Sequence, residues 1–252
     1  MIECGELVAY CNNLLESTAF QDYCPNGLQV EGRRDIRRII TGVTASQAMI
    51  EAAIEAQADM LLVHHGYFWR GEAAPVTGLK QRRIRALLEH DINLVAYHLP
   101  LDAHIRYGNN VQLAELMGWR VTGGLEVNNP RSIGLQGELE EELSGEQLAR
   151  ELETRLRRKP MFIAGHDRPV KRLAWCTGGA QGYIEKAVAL GLDAFITGEV
   201  SEQTFHIARE CGIHFYAAGH HATERYGVQA LGEHLAEHFS LEHRFIDIDN
   251  PV

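Results

Sequence analysis

No stretch of this 252-residue sequence is apolar for long enough to cross a bilayer. The opening residues Met1-Ile2-Glu3-Cys4-Gly5-Glu6 are acidic where a secretory or organelle signal is basic, so the expectation is a soluble protein of the cytoplasm. Cysteine is scarce: Cys4, Cys11, Cys24, Cys176 and Cys211 are odd in number and form no C-x-x-C pair. That excludes a zinc knuckle or a dithiol redox motif and predicts reduced thiols. Positive charge is also short, with 24 Lys and Arg against 34 Asp and Glu and a formal net charge of −10. General nucleic-acid binding is excluded on that balance, because backbone affinity needs clustered cations. The single basic cluster, Lys80 to Arg85, falls on a helical pattern with Leu79, Ile84, Leu87 and Leu88 on its other side, and reads as a solvated helix face. A P-loop and a G-x-S-x-G elbow are both absent. Thr177-Gly178-Gly179-Ala180 has no basic residue to complete a phosphate loop and is expected to be a turn before a helix.

What is present is a regular alternation of short β-branched runs with helical patterns. This predicts the α/β class, with mainly parallel sheets and flanking helices. The expected strands are Arg38 to Val43, Met60 to His64, Ile92 to His98, Arg172 to Cys176, Ala194 to Thr197, Ile213 to Ala217 and Arg244 to Ile248. Helical stripes include Leu7, Val8, Cys11, Leu14 and Leu15, and Met49, Ala52, Ala53 and Ala56. Thr44-Ala45-Ser46-Gln47 and Ser144-Gly145-Glu146-Gln147 are candidate capping boxes. Laying the segment from Arg38 over that from Arg172 aligns Ile50 with Ile184, Glu51 with Glu185, Ala53 with Ala187 and Asp59 with Asp193. This weak repeat divides the chain into two related α/β units, 1–124 and 171–252, with 125–170 as an inserted subdomain or connection.

Thirteen histidines are the anomaly of the composition, and several stand at strand ends. In open α/β sheets ligands gather where strands finish, because side chains converge there. The first such place is Leu61-Leu62-Val63-His64-His65-Gly66, where both rings serve one site only if the backbone bends, and Gly66 is placed to allow it. The second is His98-Leu99-Pro100-Leu101-Asp102, where Pro100 is expected to leave Asp102 in a stiff loop. The third is Gly219-His220-His221-Ala222-Thr223-Glu224, where His220 and Glu224 share a helical face. Singly, each is as well explained as a helix cap or a satisfied histidine. Glu199, at the strand end that the repeat matches to His64 and His65, is a further candidate lining residue. Imidazole with carboxylate suits Zn, Mn, Fe, Co or Ni without choosing among them. Two divalent ions less two carboxylates leave a formal charge of about +2, which favours anionic substrates and activated water.

These motifs, with Pro25-Asn26-Gly27-Leu28-Gln29-Val30-Glu31-Gly32, Thr41-Gly42-Val43-Thr44-Ala45-Ser46 and Phe195-Ile196-Thr197-Gly198-Glu199, resemble the YbgI-like dinuclear metal-binding family, whose members are often called GTP cyclohydrolase I type 2 homologues. The resemblance runs along nearly the whole chain and lapses only from about Leu125 to Val170. It implies two divalent metal ions per chain, held by His64, His65, Asp102, His220 and Glu224, with Glu224 bridging. It also implies a metal cleft at the strand ends of two related units, and a ring-shaped homohexamer.

The function expected on these grounds is metal-dependent hydrolysis of a nucleotide-like or phosphorylated small molecule. Ring opening of a guanine nucleotide and processing of damaged nucleotides are the named possibilities, with Glu224, His98 and Glu199 as candidate catalytic residues. The competing expectation is a metal-stabilised regulatory module that binds a ligand or protein without turnover. Metal storage is a third.

Overall fold

The computed structural model describes residues 1–252. The chain forms two compact units, Met1–Leu101 with Gly227–Asp249, and Asp102–Tyr226 with Asn250–Val252. No helix is long and apolar enough to cross a membrane.

In the first unit, five strands lie in the order Glu242–Phe245, Arg38–Thr44, Met60–His65, Asn93–Ala96 and Gly27–Val30. The first three junctions are parallel and the last is antiparallel. Both faces are covered, which is why the central strands read as unbroken apolar runs rather than alternating ones. Ile39, Met60, Leu62 and Val95 face Leu7, Cys11, Val228 and Leu231. Their strand neighbours Ile40, Leu61, Val63 and Leu94 face Met49, Ile50, Ala53 and Leu87 on the opposite side.

The second unit has six strands in the order Arg120–Gly124, Leu135–Leu143, Val170–Cys176, Ala194–Thr197, His214–Ala217 and Met161–Ile163. Its centre is parallel and its outer pairings are antiparallel. Trp175 is fully buried among Trp119, Leu139, Leu148 and Leu173, and its indole N–H donates to the Asn110 carbonyl at 2.9 Å. Trp175→Ala removes both the ring and that bond. It should lower unfolding free energy by about 3–5 kcal/mol, read from the denaturant midpoint at unchanged slope.

The repeat has a structural counterpart in each unit. Asp59 Oδ2 accepts the backbone N–H groups of Arg37 and Arg38 at 2.8 and 2.9 Å, and Asp193 Oδ2 accepts those of Lys171 and Arg172 at 3.1 and 2.9 Å. In both places the aspartate's own N–H donates to the carbonyl at the start of the strand, Arg38 or Arg172. In each unit an aspartate carboxylate thus ties the entry of one strand to the entry of the next.

The units are cut differently from the sequence boundaries at 124 and 170. The last helix, Arg225–Phe239, and the last strand return the chain to the first sheet, where Glu242–Phe245 pairs with Arg38–Thr41. The segment 125–170 is not set apart: its strands pair with Val170–Cys176 and His214–Ala217 inside the second sheet, and its helix Gly145–Leu156 covers that sheet. Its cap matches the sequence pattern, with Ser144 and Gln147 bonding reciprocally. At the other candidate box the cap is Ser46 itself, which accepts the Met49 N–H at 3.2 Å, two residues later than expected. The helix Gly78–Glu89 buries only Leu87 fully, while Leu79 and Leu88 are exposed, so its apolar stripe is narrower than the sequence implied. The five cysteines are free thiols.

A buried histidine packed beside a second one makes the second unit sensitive to acid. His214 accepts the Gly165 N–H at Nδ1, and its ring lies 4.0 Å from that of His166. Burial, then the charge of His166, push its pKa down to about 4. The unfolded chain therefore takes up this proton first. Stability from the neutral ring is complete above about pH 6.5 and is lost as pH falls from there to about 4. His214→Gln should flatten that part of the stability profile in a urea series at stepped pH.

Candidate metal centre

In the first unit the strand Met60–His65 continues through both histidines, so the bend proposed at Gly66 does not interrupt it. The rings nevertheless lie 4.5 Å apart, tilted by 44°. Gly66 has a different role: a Cβ there would collide with Gln29 Oε1 and stand 2.7 Å from the Ala96 Cβ. That Gln29 oxygen accepts the Tyr67 N–H at 2.7 Å and so fixes the turn behind the histidines. His64 is fully buried, and its Nδ1 is 2.9 Å from the Tyr97 carbonyl. A carbonyl can only accept, so Nδ1 carries a proton, and Nε2 is the nitrogen on the opposite side of the ring. His65 Nδ1 is 3.2 Å from Thr44 Oγ1. One ring nitrogen from each of His64, His65 and His98 lies within 4.8 Å of the others, a group able to hold a metal ion.

In the second unit Asp102 sits on a short helix, Leu99–Ala103, rather than in the expected loop. Pro100 is tolerated because it occupies the first turn, where its missing N–H would have no helical partner. The buried Asp102 accepts from Asn109 Nδ2 at 2.9 Å, and Asn110 bonds both the Asp102 carbonyl and the Thr177 N–H. His220 and Glu224 are 3.2 Å apart through Nε2 and Oε2, as the four-residue spacing predicts. On its other side His220 Nδ1 is 2.7 Å from Glu199 Oε1. Burial opposes charge on His220, but hydrogen bonds and the negative charge of Glu224 and Glu199 prevail and push its pKa up to about 9. Burial, then the charges of Asp102 and Glu224, hold the Cys176 thiol well above its usual range. Both carboxylates therefore bear on the end of the strand Val170–Cys176.

Thr177-Gly178-Gly179 forms the expected turn, and Gly178 does more than turn. Its φ is +71°, and a Cβ there would overlap Glu224 Oε1 and approach His220 Nε2 to 3.1 Å. Absence of a side chain at Gly178 shapes the seat of the Glu224 carboxylate.

Residues whose supporting role the sequence did not show are Asp22, Asn109, Asn110, Thr177, read only as part of a turn, and the Tyr97 carbonyl. They are ordinary turn and cap residue types, and the roles of Asp22, Tyr97 and Thr177 depend on partners that the chain brings together only on folding. Asn26 came closest to notice, because it stands in a quoted motif, and its Oδ1 accepts the His98 N–H at 2.8 Å.

The sequence matches the Duf34/NIF3 (NGG1p interacting factor 3) family over residues 2–251. The chain belongs to that family. Among Duf34/NIF3 relatives, a Pseudomonas aeruginosa protein named GTP cyclohydrolase 1 type 2 homolog is 59% identical over 100% of this chain and 99% of its own length. A Vibrio cholerae protein of the same name is 55% identical over 98% of each. The solved structure of protein ybgI, described as of unknown function, superposes with a TM-score of 0.96 at 52% identity over 100% of both chains. A Thermus thermophilus protein gives 0.90 at 34% identity over the same span.

The donor chemistry fits a metal. A ligating histidine characteristically gives its second nitrogen to a carbonyl or carboxylate, which fixes the tautomer and raises basicity. His64 does so with Tyr97, and His220 with Glu199. His220 lies between the carboxylates of Glu199 and Glu224, which give a cation there net negative surroundings.

Proposed function

We propose that this Duf34/NIF3 protein is a dinuclear metal-dependent hydrolase of a nucleotide-like or phosphorylated small molecule. Its proposed ligands are His64, His65, Asp102, His220 and Glu224, with Glu224 shared by the two ions. The observation that supports the reading is the outer support of the imidazoles: Tyr97 stands behind His64 and Glu199 behind His220 at Nδ1, and a cation at His220 Nε2 would replace the proton now shared with Glu224. The name of the closely similar relatives, GTP cyclohydrolase 1 type 2 homolog, supports the nucleotide-like substrate class. A divalent pair supplies Lewis acidity and activates water near neutral pH.

This chain's own residues do the rest. Asn109 orients Asp102, Glu199 orients His220, and Gly178 keeps the Glu224 carboxylate in its seat. Assembly as a ring-shaped homohexamer in the cytoplasm belongs to the same proposal. Sedimentation of purified protein tests the assembly.

A preparation loaded with one defined metal should be incubated with GTP, oxidised nucleotides and simple phosphoesters, with products identified by mass. A hydrolysed product that disappears on chelation and returns on reloading is the expected result. Micromolar binding of a nucleotide with no product from any substrate would replace hydrolysis by a ligand-binding role.

A further inference from the structure

A second network in the first unit centres on His98, whose ring stands 5.1 Å from His64 and 5.8 Å from His65. Its Nδ1 is 2.6 Å from Asp22 Oδ1, across 76 residues of sequence. The Asp22 carboxylate is itself fully engaged. Oδ1 also accepts the Tyr23 N–H at 2.6 Å, while Oδ2 accepts Asn26 Nδ2 at 2.8 Å and the Leu99 N–H at 3.0 Å. The side chain of Asp22 is 3% exposed and that of His98 14%. Asp22 thus accepts from four donors, the His98 ring among them through Nδ1, and Nε2 is the ring nitrogen that faces away from Asp22.

Two cation positions are compatible with these side chains. One is Asp22, Cys24 and His98, and the other is His64, His65 and His98. The chemistry separates them. In the first, the Asp22 oxygens are already taken by four donors. In the second, His64 and His98 each have Nδ1 committed to an acceptor, and a nitrogen of each ring converges with one from His65. Trp69 closes the side of His98 edge-on at 5.0 Å and limits its ring to this orientation.

We propose that His98 is a further metal ligand, donating Nε2 beside His64 and His65, and that Asp22 is the carboxylate behind it. The inference rests on the metal centre proposed above and adds a sixth side chain to it. A carboxylate that receives the far N–H of a ligating imidazole strengthens the donor and is itself worth about 10–100-fold in metal affinity. A third imidazole in the first unit also tilts the site towards Zn, Co, Ni or Fe and away from oxygen-seeking Mg and Ca.

The test uses full-length protein, Co(II) as the probe, and two readouts, visible absorption and affinity by chelator competition. Wild type should bind Co(II) with a spectrum that His98→Gln alters, and His98→Gln should bind at least one ion about 100-fold more weakly. Asp22→Asn should keep the wild-type spectral shape while losing about 10–100-fold in affinity. Circular dichroism confirms that each variant is folded. If His98→Gln does not fold, Asp22→Asn decides, and wild-type affinity there overturns the proposal. Wild-type spectrum and affinity in folded His98→Gln also overturn it and leave the five-ligand centre standing. Failure of wild type to take up Co(II) at all removes the centre and this ligand together.

Discussion

Glu224→Gln should give a folded protein that loses metal on dialysis. Glu224 is 2% exposed, its Oε2 lies 3.2 Å from His220 Nε2, and it is the one proposed ligand assigned to both ions. Glutamine preserves shape and the contact with His220 but removes the charge that a bridging position needs. Structural zinc sites are worth about 10–16 kcal/mol over four ligands, so one ligand is worth about 2.5–4 kcal/mol, or about two to three orders of magnitude in affinity. The check is metal content by elemental analysis after equilibrium dialysis against a weak chelator, with circular dichroism to confirm the fold. Undiminished stoichiometry in a folded Glu224→Gln protein would remove Glu224 from the ligand set, and any turnover it retained would have to be explained without a bridge.

The second large effect is expected at a residue with no side chain. Gly178→Ala inserts a methyl group into the space taken by Glu224 Oε1, at a backbone φ of +71°. A β-carbon in the left-handed region costs about 1–2 kcal/mol by itself. The collision adds to this, because the neighbour is a carboxylate held in a buried seat rather than the free end of a mobile chain. We expect a loss of stability of about 2–4 kcal/mol combined with weaker metal retention. Gly182→Ala is the control, since a Cβ there meets nothing within 4 Å. Denaturant titrations of both variants, with and without metal, check the prediction. Equal behaviour of the two would show that the Gly178 backbone relaxes freely.

The central strands were legible because both faces of each are buried, so Met60 to Val63 and Ala194 to Ile196 are apolar without interruption. The edges were harder to read. Leu135–Leu143 carries the acidic run Glu138 to Glu142, yet forms a full antiparallel strand, because Leu139 faces the core while Glu140, Glu141 and Glu142 face solvent. The destination of the last strand was illegible for another reason: Arg244 to Ile248 reads as β, but nothing in its periodicity says which sheet it joins. The repeat aligned Asp59 with Asp193 by letter alone, and each proves to hold the same pair of strand-entry amides.

The site divides along the same line. His64, His65, His220 and Glu224 were visible because their spacing at strand ends is local information. Asp22 and Asn26 were not, because their importance lies in contacts with His98 and Leu99, more than 70 residues away. A carboxylate in a Pro- and Asn-rich turn looks like any turn residue until the chain has folded. Asp102 was assigned as a ligand but placed in a loop, since a proline reads as a break even where the first turn of a helix admits it.

The most direct test of the central claim is anomalous diffraction from crystals of protein grown without chelator and loaded with a single transition metal, measured on both sides of its absorption edge. The account predicts two peaks per chain, about 3.5–4 Å apart, ligated by His64, His65, Asp102, His220 and Glu224. No peak at these residues, or metal held only by other side chains, would contradict it.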